Sequence, residues 1–117
     1  MAEGDSFEIH DDDGIQVIRV LRPRFRVDDA EKLLAAVAPV DAADGPPPRV
    51  VVDLTVVEFM DSGALSVVWR LNERTTLRLA ALSPLVINTF RILGMLNVLA
   101  HDDTPEQAIA ALREQAR

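Results

Sequence analysis

Hydrophobic and polar residues alternate at the start of the chain and take a helical spacing further on. Residues 6–10 and residues 15–21 alternate on either side of an Asp-rich turn at residues 11–14. This pattern predicts two strands joined as a hairpin.

A first helix is predicted at residues 30–38, where Leu33, Leu34 and Val37 fall on one helical stripe. Asp28 or Asp29 caps its start, and a proline follows its end. The Pro-rich residues 41–48 then form a connector that is too short to separate two domains.

The central stretch joins a buried strand to a second helix. Residues 50–54 are a short β-branched run, typical of a strand covered on both faces. A helix follows Asp61 and continues to about Asn72. At about 100° per residue, one row of this helix is apolar and faces the core, and a second row carries polar and aromatic side chains. The apolar row is Ala64, Leu65, Val68 and Leu71, and the second row is Ser62, Ser66, Trp69 and Glu73.

The remaining elements alternate strand and helix. Residues 77–82 predict a strand, and Ser83 with Pro84 starts a helix that ends at Gly94. Residues 95–99 predict a final short strand or extended segment, and a last helix beginning near Pro105 turns Ala108, Ile109 and Leu112 inward. The order ββαβαβαβα predicts an α/β fold whose later strands are parallel.

Length and composition restrict the class of protein. A chain of 117 residues suits one domain, residues 1–117, and 49% apolar residues without an apolar run of about 18 predict a globular protein with no membrane span. The acidic residues 1–5 do not resemble a signal peptide, and there is no cysteine, so we expect a cytoplasmic protein. The net charge of −7 argues against nonspecific nucleic-acid binding.

One segment departs from this acidic character. Arg19, Arg22, Arg24 and Arg26 occupy alternate positions or nearly so, and on an extended chain they would project to one face. They either contact an acidic partner or protect a solvated strand edge.

Little in the sequence indicates catalysis. His10 lies beside three consecutive Asp residues, which do not have the spacing of a metal loop. Neither histidine has a triad context, and Lys32, the only lysine, is not in a Gly-rich phosphate loop. We therefore expect no enzyme, no metal and no cofactor.

The Asp61-Ser62 pair is the best candidate for a functional site. A helix start has free N–H groups and a partial positive charge, so Ser62 is either a plain cap or a hydroxyl suited to carry a phosphate. Trp69 lies two turns further along the same row as Ser62. It either forms part of a partner-binding ridge or folds over the edge of the core.

Three motifs resemble the STAS domain of bacterial anti-sigma factor antagonists. These are Phe-Met-Asp-Ser at residues 59–62 between strand and helix, Ser-Pro at residues 83–84, and Leu-Gly-Met-Leu at residues 93–96. The resemblance covers nearly the whole chain. It implies a STAS-like fold with a mixed sheet of four or five strands and about four helices packed mainly on one face.

The resemblance also implies a function. In such proteins the serine after the Asp is phosphorylated by an anti-sigma factor that is itself a serine kinase, and a serine phosphatase later resets the cycle. Ser62 matches the phosphoacceptor and Asp61 its acidic neighbour. The alternative is a STAS module that is not phosphorylated and scaffolds another signalling or lipid-transport complex; a weak homodimer stays open in either case. The expected partner-binding residues are Asp61, Ser62, Gly63, Ser66, Trp69, Arg24 and Arg26.

Overall fold

The computed structural model has the predicted alternation of strands and helices, and it describes residues 6–37 and 45–115. The strands are β1 (Phe7–Asp12), β2 (Ile15–Val20), β3 (Arg24–Phe25), β4 (Arg49–Asp53), β5 (Phe59–Met60), β6 (Thr76–Ala80) and β7 (His101–Asp102). The helices are α1 (Val27–Val37), α2 (Ser62–Arg74), α3 (Pro84–Ile92) and α4 (Pro105–Gln115). The predicted order is confirmed, although the last strand lies at other residues than predicted, and β3 and β5 are additions that the sequence pattern did not indicate.

Five strands form one mixed sheet in the order β1-β2-β4-β6-β7. β1 and β2 are antiparallel, whereas β2, β4, β6 and β7 are parallel to one another. β3 and β5 form a separate parallel pair. The main sheet confirms the predicted α/β STAS-like fold.

The helices lie on both faces of this sheet, but mainly on one. Val50 and Val52 of β4 pack in the larger core with α1, α2 and α3, and Val51 points into a smaller core covered by α4. These three valines are at most 1% exposed, which confirms that β4 is covered on both faces. The inward positions predicted for the last helix are also confirmed, since Ala108 and Leu112 are fully buried and Ile109 packs against the same core.

The opening hairpin has a tighter turn than the sequence pattern predicted. β1 continues to Asp12, so the loop consists of Asp13 and Gly14 alone. Their φ angles are +56° and +88°. Two consecutive residues with positive φ form the type I′ loop, whose twist matches that of the strands.

The predicted strand at residues 95–99 is wrong. The segment forms turns, with the N–H groups of Val98 and Leu99 donating to the Met95 carbonyl at 3.2 and 3.0 Å. Because these backbone groups bond within the segment, they cannot pair with a strand. The last strand of the sheet is β7 instead.

Helix α1 begins at Val27, earlier than the predicted start at residue 30, and its N-terminus packs against the start of α2. A Cβ atom built on Gly63 would lie 2.7 Å from the Cβ and 2.9 Å from the Cγ2 of Val27. Glycine at this position therefore allows α1 and α2 to meet. The predicted end of α1 at residue 38, Pro39 and part of the predicted connector lie outside the described residues.

We expect Gly63→Ala to destabilise the fold by about 1–2 kcal/mol, since the added methyl group overpacks a close contact and outweighs the gain in helix propensity. The free energy of unfolding from urea denaturation measures this change.

A double-mutant cycle tests the cause. In a Val27→Gly background, Gly63→Ala should cost less than about 0.5 kcal/mol, because the Cβ, Cγ1 and Cγ2 atoms that it would meet are gone. Ser66→Ala, an exposed site on the same helix, is the control and should change stability by less than about 0.5 kcal/mol. An equal cost of Gly63→Ala in both backgrounds would contradict the assigned contact.

Candidate functional site

One carboxylate bonds to the starts of two helices. Asp61 has extended backbone angles (φ −79°, ψ 168°), and its Oδ1 accepts a hydrogen bond from the Ala64 N–H at 2.7 Å. Its Oδ2 accepts a second bond from the Val27 N–H at 3.3 Å. Asp61 therefore caps α2 and also satisfies the first N–H of α1.

The capping role of Asp61 leaves the hydroxyl of Ser62 free. Ser62 is the first residue of α2, its side chain is exposed, and it makes no hydrogen bond to any group in the described part of the chain. Of the two capping residues that the sequence left open, the structure assigns Asp61. The Ser62 hydroxyl is thus accessible at the positively polarised end of a 13-residue helix.

An apolar groove of about 750 Å³ lies on one side of Ser62. One wall is the α2 row predicted from the sequence, with Ser66 and the 38%-exposed Trp69. The opposite wall is formed by residues that sequence reasoning missed: Leu93, Gly94, Met95 and Val98. Trp69 therefore lies on a partly exposed ridge, in line with Ser62.

The end of α3 places that second wall. Gly94 has a φ of +72°, its N–H donates to the Arg91 carbonyl at 3.1 Å, and the Met95 N–H donates to the Phe90 carbonyl at 2.8 Å. These two bonds form a Schellman motif, which ends the helix and reverses the chain. The helix end at Gly94 was predicted, whereas the return of residues 95–98 toward α2 was not.

A smaller groove of about 380 Å³ lies on the other side of Ser62. Phe59 of β5 and Ile92 of α3 line it, at 46% and 74% exposure. We refer to the surface around both grooves as the Ser62 face; its members are Phe59, Ser62, Ser66, Trp69, Ile92, Leu93 and Val98. Large apolar side chains gathered around a hydroxyl are typical of a docking surface for a protein.

The structure separates the predicted arginines from this face. β2 ends at Val20 and β3 belongs to the other sheet, so the four arginines do not share one strand. Arg22, Arg24 and Arg26 line a separate pocket, and Arg19 lies apart from them on β2.

Gly63 is half-buried against Val27.

The described residues form no metal site and no membrane-spanning helix. Between residues 6 and 37 and between residues 45 and 115, no group of three or more His, Asp or Glu side chains is arranged to hold a metal ion. None of the four helices in this part of the chain is long and apolar enough to cross a bilayer.

Solved structures share this fold. An anti-sigma factor antagonist from Mycobacterium paratuberculosis is 25% identical, with a TM-score of 0.74 over 97% of this chain and 99% of its own. The Bacillus cell fate determinant SpoIIAA, in its phosphorylated form, is 19% identical, with a TM-score of 0.64 over 91% and 98% of the two chains. A sulfate transporter family protein from Wolinella succinogenes is 17% identical, with a TM-score of 0.73 over 90% and 89%.

Comparison with family models identifies the family of the chain. No protein with a curated description is significantly similar to the chain. The family model described as "Mlab, STAS domain" matches residues 13–100, which include both grooves of the Ser62 face and the basic residues of the arginine-lined pocket. The chain therefore belongs to the STAS domain family and has the fold of the anti-sigma factor antagonists.

Proposed function

We propose that the protein is an anti-sigma factor antagonist that binds an anti-sigma factor with serine kinase activity and is switched by phosphorylation of Ser62. The observation that carries this proposal is the exposed Ser62 hydroxyl, bonded to no described group, between two apolar grooves. The existence of a phosphorylated form of SpoIIAA, which has the same fold, supports it. The protein would then regulate transcription by holding or releasing an anti-sigma factor.

The Ser62 face supplies the docking energy in the unphosphorylated state. Its apolar side chains, which include Trp69 and Ile92, are exposed in the free protein and would leave water on binding. Binding energy at protein interfaces concentrates in a few such residues, with Trp prominent among them. Ser62 lies inside this area, where a neutral hydroxyl costs much less to cover than a charged group does.

Phosphorylation would change the charge at the centre of the face. A phosphate adds about −1.5 to −2 charges at neutral pH, next to the Asp61 carboxylate and in a chain of net charge −7. In the free protein, water and the N-terminal end of α2 accommodate this charge. In the complex the phosphate would be desolvated against apolar groups, so phosphorylation weakens binding without refolding the domain.

The partners follow from this cycle. The anti-sigma factor is both the docking partner and the kinase, and a serine phosphatase restores the binding form. The protein itself acts as a binding module and not as an enzyme, and it works in the cytoplasm with the sigma factor.

A second candidate function is supported by the comparisons. The matching family model carries the name Mlab, and a sulfate transporter family protein shares the fold. In this alternative the same apolar face scaffolds another signalling or lipid-transport complex, and Ser62 is never modified.

Ser62 is the expected site of phosphorylation. Incubation with ATP and the serine-kinase anti-sigma factors of the same genome should add one phosphate, on Ser62, because this hydroxyl is exposed and not used as the cap. Mass spectrometry of proteolytic fragments locates the phosphate.

Two alanine variants control this experiment. Ser62→Ala should lose the label, and Ser66→Ala, one turn along the same helix, should keep it. Phosphate on Ser66 or elsewhere, or no label with any of these kinases, would contradict the proposed switch.

The affinity for the anti-sigma factor should depend on the charge at residue 62. Ser62→Asp should weaken binding at least about 30-fold, since a desolvated charge on the face costs about 2 kcal/mol or more. Ser62→Ala should bind within about threefold of the wild type, because the hydroxyl contributes little. Isothermal titration calorimetry measures both affinities.

Gln115→Glu is the matched control, since it adds the same single charge on α4, which packs on the opposite face of the sheet. It should change the affinity by less than about twofold. Binding that is equally insensitive to Ser62→Asp and Ser62→Ala would favour the scaffold function over the switch.

A further inference from the structure

A cationic pocket lies beside the β3–β5 pair, outside the Ser62 face. It has a volume of about 770 Å³, and Arg22, Arg24, Arg26 and Lys32 line it. These are four of the 12 basic residues of a chain whose net charge is −7. One third of the basic residues therefore lie around a single pocket.

The four cations have no ion-pair partner within the described residues. Elsewhere in the structure, Arg70 pairs with Glu31, Arg78 with Asp102 and Arg113 with Asp12. Asp28 and Asp29 also line the pocket, but neither forms an ion pair with these cations. The Asp29 carboxylate instead accepts hydrogen bonds from the Ser6 hydroxyl and from the Arg26 N–H at 3.1 Å.

Core packing and backbone hydrogen bonds fix the backbone that carries the arginines. Phe25 is 1% exposed in the core, so the neighbouring Arg24 and Arg26 project outward. The Pro23 carbonyl accepts hydrogen bonds from the N–H groups of Glu58 and Phe59 at 2.7 and 3.0 Å. A surface that is already ordered loses less conformational entropy on binding.

We propose that this pocket docks an acidic segment of a partner protein. Four cations line the pocket, and Arg24 and Arg26 are two positions apart, about 7 Å along an extended chain. Alternate carboxylates of an extended acidic segment have the same spacing. The four cations outnumber the two carboxylates, Asp28 and Asp29, that also line the pocket, so the pocket keeps a net positive charge that favours an acidic ligand. A short segment with a few carboxylates is repelled less by the chain's net charge of −7 than a long nucleic acid is.

The pocket is close enough to the Ser62 face for one partner to cover both. Arg24 lies opposite Phe59 in the β3–β5 pair, and Arg26 directly precedes Val27, whose N–H bonds to Asp61. The acidic-segment assignment does not require phosphorylation of Ser62, since it rests on charges that are always present.

A fluorescein-labelled decaglutamate peptide tests the assignment on the full chain. Fluorescence anisotropy should show saturable binding that weakens as salt rises from about 50 to 200 mM, and ¹⁵N amide shifts should change at residues 22–32. Arg24→Gln/Arg26→Gln should weaken binding at least about tenfold. Arg19→Gln/Arg91→Gln changes the net charge equally at exposed arginines outside the pocket and should have less than about a twofold effect.

Several results would overturn this inference. These are no saturable binding, equal weakening by the two double variants, shifts confined to other residues, or displacement of the peptide by stoichiometric inorganic phosphate or ATP. Thermal unfolding of both double variants verifies that they are folded. Ser62→Asp should leave peptide affinity within about twofold of the wild type. Failure of the phosphorylation experiment with peptide binding intact would count against the switch alone, and the reverse result against the cationic pocket alone.

Discussion

The carboxylate of Asp61 fixes the geometry on which the site depends. It bonds to the start of α2 through Ala64 and to the start of α1 through Val27, two residues that are far apart in the sequence. Because the carboxylate satisfies these N–H groups, the next residue is not needed as a cap, and its hydroxyl faces solvent. The hydrogen bonds of Asp61 thereby leave the Ser62 hydroxyl without a capping role at the start of α2.

Two surfaces of different chemistry meet at this corner. The Ser62 face is apolar, and under the proposed switch its affinity for a partner would depend on keeping the hydroxyl neutral. The cationic pocket is polar, and by our proposal it would attract acidic groups in either state of the serine. A partner that contacts both would gain affinity mainly from the apolar face, and orientation and association rate mainly from the charged one.

Much of this fold could be predicted from the sequence, because its longer elements have a clear periodicity. β4 is apolar on both faces and α2 has a buried stripe, so both were placed correctly. β3 and β5 are only two residues long and carry no periodicity. The apolar residues 95–99 resembled a strand, but the left-handed Gly94 directs them into turns that no local pattern indicates.

The site was predictable in part. The position of Ser62 followed from the strand-to-helix change and from the family motif, and Asp61 was one of the two candidate caps, whereas its second bond, to the Val27 N–H of α1, was not predicted. That bond, like the groove wall at residues 93–98, joins elements that only the tertiary fold brings together. The arginines were seen as one strand face because the break between β2 and β3 has no strong signal beyond Pro23.

The most direct test of the shared cap is amide hydrogen exchange at Val27 and Ala64, followed by NMR. In Asp61→Ala both amides should exchange at least about tenfold faster, since each loses its acceptor, and Ser62→Ala should leave both unchanged. Faster exchange of Ala64 in Ser62→Ala, or an unchanged Val27 in Asp61→Ala, would contradict the claim that one carboxylate bonds both helix starts and frees the serine.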